Sequence, residues 1–478
     1  MTPVRATAWI GLSSAATLIL SVLAMKAYAL LVGPSGVGLL SLMQSLINLG
    51  VIVAGLGVST SAISALAAAI ASSDAGRTEA VRRATVSLAI VTGAVGAGLL
   101  VVLREPVAEI ALGSAERAND VVVLATALLC SVVAFGRISV LTGRRAIAPL
   151  ALVSVATGVG AVAIGIALVL AFGFGGLAPA VLAAALVHLG LASWFERRAR
   201  SSVPANLSSE EIASAARQLV RRGVPIAASQ LAGSGAALVT PMIVLHLLGP
   251  QEVGYYRAAA ALSVGYLTVF VAALTQDYLP RISAAQSSED LALMVERQMR
   301  LVLGLSLPII LGLLAAGPMI MEVLYAQEFS PAFAILKWQL VGDLFRLPAW
   351  ILAFVLLARA RSGAYFSAEL VVGVSLVLGT VIGVLGLGLA GAGVAYAASQ
   401  LIYYSVVWVL VLRYVPTTPG RLQAVAMVSA VASVGILLAN PGEPMRTLLF
   451  AAGACLLAAF ALPRVYRMIR DGELEASR

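Results

Sequence analysis

Leu31-Val32-Gly33-Pro34-Ser35-Gly36-Val37-Gly38 returns 216 residues later as Leu247-Leu248-Gly249-Pro250-Gln251-Glu252-Val253-Gly254, with Gly33, Pro34, Val37 and Gly38 all matched by identical residues. Each copy follows one long apolar run and precedes another. Proline fixes φ and starts a helix well, and a glycine before it supports a tight turn. The motif carries no reactive group, so each copy reads as a turn between two helices. Its recurrence says more, because it divides the chain into two related halves. The same offset sets Arg145 on Arg361, and the run from about Val121 on the run holding Lys337 to Arg346.

The apolar runs are membrane spans. Of 478 residues, 61% are hydrophobic and 11% charged, where soluble domains run about 45–50% and about 25%. Mean hydropathy is +1.01. A helix crossing a hydrocarbon core of about 30 Å needs about 20 apolar residues. By that measure there are about 14 spans: 6–32, 38–70, 84–103, 119–143, 146–172, 176–195, 223–248, 252–279, 299–320, 333–358, 364–386, 389–412, 422–439 and 446–463. The first is too long for a signal peptide, whose apolar core runs about 7–15 residues, and it contains Lys26. The expected fold is an all-α polytopic membrane protein. An N-terminal six-helix lobe (1–195) is followed by a cytoplasmic linker (196–222), a C-terminal six-helix lobe (223–412), and an extra helix pair with a basic tail (413–478). Six spans per half start both halves on the same side, so the repeat is parallel and its axis lies along the membrane normal. In transporters of that symmetry the substrate path runs between the halves.

Loop charges test the count. With both termini cytoplasmic, the inside segments hold 23 of the 31 basic residues, and the outside loops hold only Arg104, Arg117 and Arg446. This is the positive-inside pattern, and a missed span would break it. Trp9, Trp194 and Trp408 fall at cytoplasmic ends, as interfacial aromatic residues do. The net charge of +9 is therefore a topology signal facing anionic headgroups, and no nucleic-acid partner is expected. In the linker, Ser208-Ser209-Glu210-Glu211 has capping-box spacing and predicts a short amphipathic helix.

Five basic residues remain inside spans: Lys26, Arg137, Arg257, Lys337 and Arg346. A charge near the bilayer centre costs roughly 2.5–3.5 kcal/mol on insertion scales and marks a candidate site. Gln339, Asp343 and Arg346 fall within about 60° on an ideal helix. Asp343 and Arg346, three apart, are expected to pair, either as part of a site or as a pin for the helix. Lys337 points to the other side and can snorkel to the outside interface. Lys26 lies about 10 Å inside the outer boundary and is expected to line a cavity. Arg257, about one turn into its span, lines a cavity or snorkels. Arg137, Asp277 and Glu369 sit near inside ends. Each is a candidate for coupling or gating, with interface placement or pairing to an arginine as the alternative.

No phosphate-binding loop G-x-x-x-x-G-K-[ST] occurs. Two cysteines and two distant histidines give no metal spacing, and no cofactor is expected. No long outside loop carries paired carboxylates or a nucleophile, so an enzyme is not expected.

Gly-Pro-Ser-Gly-Val-Gly after a first span containing Lys26, Gly55-Leu56-Gly57-Val58 late in span two, and Trp338-Gln339-Leu340-Val341-Gly342-Asp343 followed by Ala358-Arg359-Ala360-Arg361 resemble the Wzx flippases. These belong to the multidrug/oligosaccharidyl-lipid/polysaccharide exporter superfamily, and the likeness is to the branch of lipid III flippases and O-antigen translocases. It covers about residues 1–412. It implies two six-helix lobes in a bacterial inner membrane and alternating access. The implied substrate is undecaprenyl-diphosphate-linked oligosaccharide moved to the periplasmic face, with membrane lipids, a polysaccharide polymerase and a chain-length regulator as partners. The extra C-terminal spans and the near-total use of Arg over Lys depart from the family and leave the glycan open. The residues themselves agree, since arginine binds phosphate oxygens through a planar fork. A cation-coupled exporter of small molecules is the alternative, with Asp343, Asp277 and Glu369 as its available acids. A membrane enzyme or scaffold of polysaccharide assembly is the other.

Overall fold

The computed structural model describes residues 3–198, 207–285, 287–412 and 414, with short pieces between 428 and 453. Among the described residues every element is helical. In order they are α1 (Pro3–Gly55), α2 (Val58–Ala71), α3 (Ala75–Val102), α4 (Arg104–Leu112), α5 (Ala118–Gly143), α6 (Ile147–Phe172), α7 (Leu177–Arg198), α8 (Ser209–Leu247), α9 (Pro250–Ala273), α10 (Leu279–Ala284), α11 (Ser288–Leu324), α12 (Phe333–Ala358), α13 (Ser362–Leu387) and α14 (Leu389–Val411). Nine described stretches are long and apolar enough to cross a membrane; one of them, Ala148–Arg198, holds both α6 and α7. The expected spans 422–439 and 446–463 lie outside the described residues except at isolated positions. Packing divides the chain into two units, Met1–Gly254 and Tyr255–Arg478.

In the first unit the Gly-Pro motif behaves as its chemistry dictates. α1 bends at Gly33, whose φ is 61°, and Pro34 opens the outgoing arm. In the second copy Gly249 has φ 119° and α9 begins at Pro250. The expected continuous span 38–70 is broken. α1 stops at Gly55, Leu56 and Gly57 take φ of 48° and 65°, and α2 starts at Val58. The cause is a backbone contact: a Cβ on Gly57 would overlap the Gly223 carbonyl of α8, and one on Gly223 would overlap the Leu56 carbonyl. Beside this contact Val58, Ala62, Leu66, Val81, Ala84, Val140 and Leu219 form an apolar core. The Ser61 hydroxyl donates to the Leu219 carbonyl at 3.0 Å.

The capping box at Ser208 and Glu211 is present, but the helix it opens is not short. α8 runs for 39 residues through Pro225 and Pro241, so linker helix and seventh span are one element. A proline within a membrane helix removes one hydrogen bond, which neighbouring groups can replace.

In the second unit α12 is the central helix. Leu336, Leu340, Leu347, Ala349 and Ile351 are all fully buried. Small residues allow the close approach. A Cβ on Gly393 of α14 would lie 2.6 Å from the Ile335 carbonyl, and one on Gly383 of α13 would lie 2.5 Å from the Gly391 carbonyl. Glycine at these positions lets the helix backbones pack this closely.

Candidate functional site

α12 carries Lys337–Arg346 through the middle of the second unit. Asp343 is fully buried and Gln339 is 2% exposed. A buried carboxylate costs several kcal/mol unless it is paired or hydrogen-bonded. Two other helices supply donors. The Ser263 hydroxyl of α9 donates to Asp343 Oδ2 at 2.7 Å, and the Tyr396 hydroxyl of α14 donates to Oδ1 at 2.6 Å. Arg346 Nη1 donates to the same Tyr396 oxygen at 2.7 Å. The Arg346 guanidinium lies 4.4 Å from the Trp350 ring centre, a cation–π contact one turn further along.

The sequence predicts direct pairing of Asp343 with Arg346. Among the described residues the link runs instead through Tyr396. Stacking on Trp350 draws the guanidinium toward the following turn, while Asp343 lies on the preceding one. Tyr396 can sit between them because Gly342 has no side chain: a Cβ there would be 2.7 Å from the Tyr396 ring.

Arg257 of α9 is half-buried, and the hydroxyls of Tyr256 and Tyr325 act on it electrostatically. Buried Tyr256 feels both Arg257 and Arg346 electrostatically. Tyr325 is fixed by donating to the Ala258 carbonyl at 3.2 Å and by stacking on Phe329. Glu369 of α13 accepts from the Tyr403 hydroxyl at 2.6 Å and also acts on Arg346 across a longer distance. Among the described residues neither Arg257 nor Arg346 makes an ion pair with a carboxylate. Gln339 Oε1 is buried with no hydrogen-bond partner among them.

The structure therefore gathers Arg257, Gln339, Asp343, Arg346 and Glu369 around α12 in the second unit. Lys337 is half-buried on the same helix. Lys26, also half-buried, lies on α1 in the first unit. Asp277 is exposed and pairs with Arg281 at 2.7 Å, one turn away, which is the pairing alternative the sequence leaves open.

Arg137 meets Glu196, 1% exposed, at 3.0 Å, and Arg82 meets the same carboxylate at 2.9 Å. Arg82 also pairs with Glu79 at 2.7 Å. The ends of α3, α5 and α7 converge there and exclude solvent, so the charges neutralise one another. Sequence reasoning missed Glu196, Ser263, Tyr396 and Tyr403. The available signal was indirect, since a buried acid such as Asp343 demands donors from somewhere.

The family described as "Polysaccharide biosynthesis protein" matches residues 27–334. The lipid III flippases of Escherichia coli (strain K12) and Shigella flexneri are each 24% identical to this chain over 155 residues. That alignment covers 32% of this chain and only 37% of those relatives. Among solved structures, the lipid II flippase MurJ in an inward closed conformation is similar, with a TM-score of 0.72 at 14% identity, covering 98% of this chain and 99% of that one. An inward-facing multidrug resistance MATE family transporter of the MOP superfamily gives 0.68 at 16% identity, covering 88% and 95%. At such identities the likeness is one of fold, and that fold is all-α and polytopic.

Proposed function

Because the chain belongs to the polysaccharide biosynthesis protein family, we propose that it is a flippase for undecaprenyl-diphosphate-linked oligosaccharide. It would carry this substrate by alternating access from the cytoplasmic to the periplasmic leaflet of a bacterial inner membrane. Both termini are cytoplasmic in this reading, and a polymerase and a chain-length regulator receive the product.

One observation carries the proposal. Arg257 and Arg346 sit in apolar helices and both act on buried Tyr256; among the described residues neither makes a direct ion pair with a carboxylate, and Asp343 and Glu369 act on Arg346 at longer range. Charge in a membrane helix is costly and is retained where it serves a ligand. Guanidinium groups suit a diphosphate, whose oxygens accept their parallel N–H donors. Tyr396 holds Arg346 in one orientation, and Trp350 stacks on it. The unpartnered Gln339 oxygen offers an acceptor beside them. Lys26, from the first unit, is assigned a second positive contribution.

The fold likeness to MATE transporters raises the cation-coupled exporter. That reading needs an acid able to take up a proton or cation. Asp343 accepts hydrogen bonds on both oxygens, Glu369 is held by Tyr403, and Asp277 is paired at the surface. The arginines are better placed for work than the acids. For an enzyme reading, the cluster's acids Asp343 and Glu369 are both engaged by hydroxyl donors, and the relatives and solved structures are named as flippases and transporters.

The test is complementation of a deletion strain. Without the protein, lipid-linked oligosaccharide is expected to accumulate on the inner leaflet. Arg346→Ala is expected to fail to relieve this while remaining in the membrane. Loss of oligosaccharide synthesis itself would favour the enzyme or scaffold.

A further inference from the structure

A cavity of about 360 Å³ lies in the first unit. Its lining comes from four segments: the outgoing arm of α1, the loop around Ser114, Phe174 before α7, and the end of α8 with Pro250. The charge pattern assigns all four to the outside face. The volume lies near the lower end of the roughly 300–1,000 Å³ typical of small-molecule sites.

The lining is mixed in a particular way. Its floor is apolar, with Leu42 1% exposed. Phe174 stands at the rim, 46% exposed. Its polar groups are Ser35, Ser114, Arg117 and His246. His246 Nε2 donates to the Ile110 carbonyl at 2.8 Å, which leaves Nδ1 as the ring's other polar atom. Ser114 Oγ accepts from the Glu116 amide at 3.3 Å and keeps its own hydrogen to donate. The Arg117 charge is offset by Asp120 at 3.5 Å.

A free anion would require donors and net positive charge. This cavity offers donors and acceptors together, an offset charge, an apolar floor and an aromatic rim. Those are the requirements of a saccharide ring, whose hydroxyls both donate and accept and whose C–H face stacks on an aromatic ring. We propose that the cavity is a saccharide-binding site on the outside face, taking one sugar residue of the transported oligosaccharide. The identity of that sugar's source rests on the flippase reading; the cavity's preference for a saccharide does not.

The test uses the full-length protein in lipid nanodiscs and saturation-transfer NMR. The probes are N-acetylglucosamine, galactose, glucuronate and inorganic phosphate. At least one sugar is expected to bind in the millimolar range. Phe174→Ala should weaken that binding about tenfold, Phe174→Trp should restore it, and Arg117→Gln should weaken it several-fold. Arg346→Ala, in the other unit, should leave sugar binding intact. The proposal is overturned if no sugar binds, if phosphate binds and the sugars do not, or if sugar binding is equal in wild type and Phe174→Ala. Normal export by Arg346→Ala alongside sugar binding lost in Phe174→Ala would sink the arginine assignment and leave the cavity standing.

Discussion

Gly38 and Gly254, equivalent positions of the two Gly-Pro motifs, make reciprocal contacts. Gly38 lies against the Pro250 carbonyl and the Gly254 amide, and Gly254 lies against the Pro34 carbonyl. The contact is backbone on backbone, so neither partner can move aside as a flexible side chain would. Gly38→Ala and Gly254→Ala are each expected to destabilise by about 1–3 kcal/mol, the usual cost of overpacking. At Gly55 an added methyl group would meet nothing within 4 Å, and Gly55→Ala should be neutral or slightly stabilising. Thermal unfolding midpoints of the three variants in one detergent check the contrast.

The buried ion cluster makes a second case. Glu196→Gln leaves Arg82 and Arg137 without the carboxylate they share, and breaking such a pair costs about 3–5 kcal/mol. The exposed Arg104–Glu105 pair, at 3.9 Å, should contribute less than about 1 kcal/mol. Unfolding midpoints of Glu196→Gln, Arg137→Gln and the double variant should show strong non-additivity. Additive effects would mean that the two groups act independently.

Tyr396→Phe removes one oxygen and leaves the ring on Gly342. Asp343 then loses one donor and Arg346 loses the acceptor of its Nη1 hydrogen bond. The expected cost is about 1–3 kcal/mol in stability, as for a buried polar group left unsatisfied. Export should fall as well, because the guanidinium is no longer oriented. Tyr403→Phe, which removes one of the hydroxyls that donate to Glu369 and leaves Tyr365, should affect stability with a smaller loss of export. Quantifying surface polysaccharide against protein level in both strains separates the two effects.

Topology can be checked at two serines. Ser114→Cys should react with a membrane-impermeant maleimide in intact cells. Ser72→Cys, at the end of α2, should react only after permeabilisation. Both are placed in a chain lacking the native Cys130 and Cys455. Reversed labelling would invert the assigned orientation.

What the sequence made legible was local or periodic. The Gly-Pro turns could be read because two adjacent residues determine their backbone. The apolar runs and the alternation of Arg between loops needed only counting. The break at Gly57 could not be read, because its cause is Gly223, 166 residues away. Nothing in Phe195-Glu196-Arg197-Arg198 shows that Glu196 is buried, since its solvent exclusion arises only where three helix ends meet. Asp343 and Arg346 stood out as charges in an apolar run. Ser263 and Tyr396, which decide how those charges are held, look like ordinary polar residues of their helices.

The central claim is that Arg346 offers its charge to the substrate. The most direct measurement is the leaflet distribution of lipid-linked oligosaccharide in cells carrying Arg346→Ala, Arg346→Lys or wild type at equal membrane levels. Inner-leaflet accumulation is expected with Arg346→Ala, and partial relief with Arg346→Lys, which keeps the charge but loses the planar fork. A wild-type distribution in Arg346→Ala would contradict the claim.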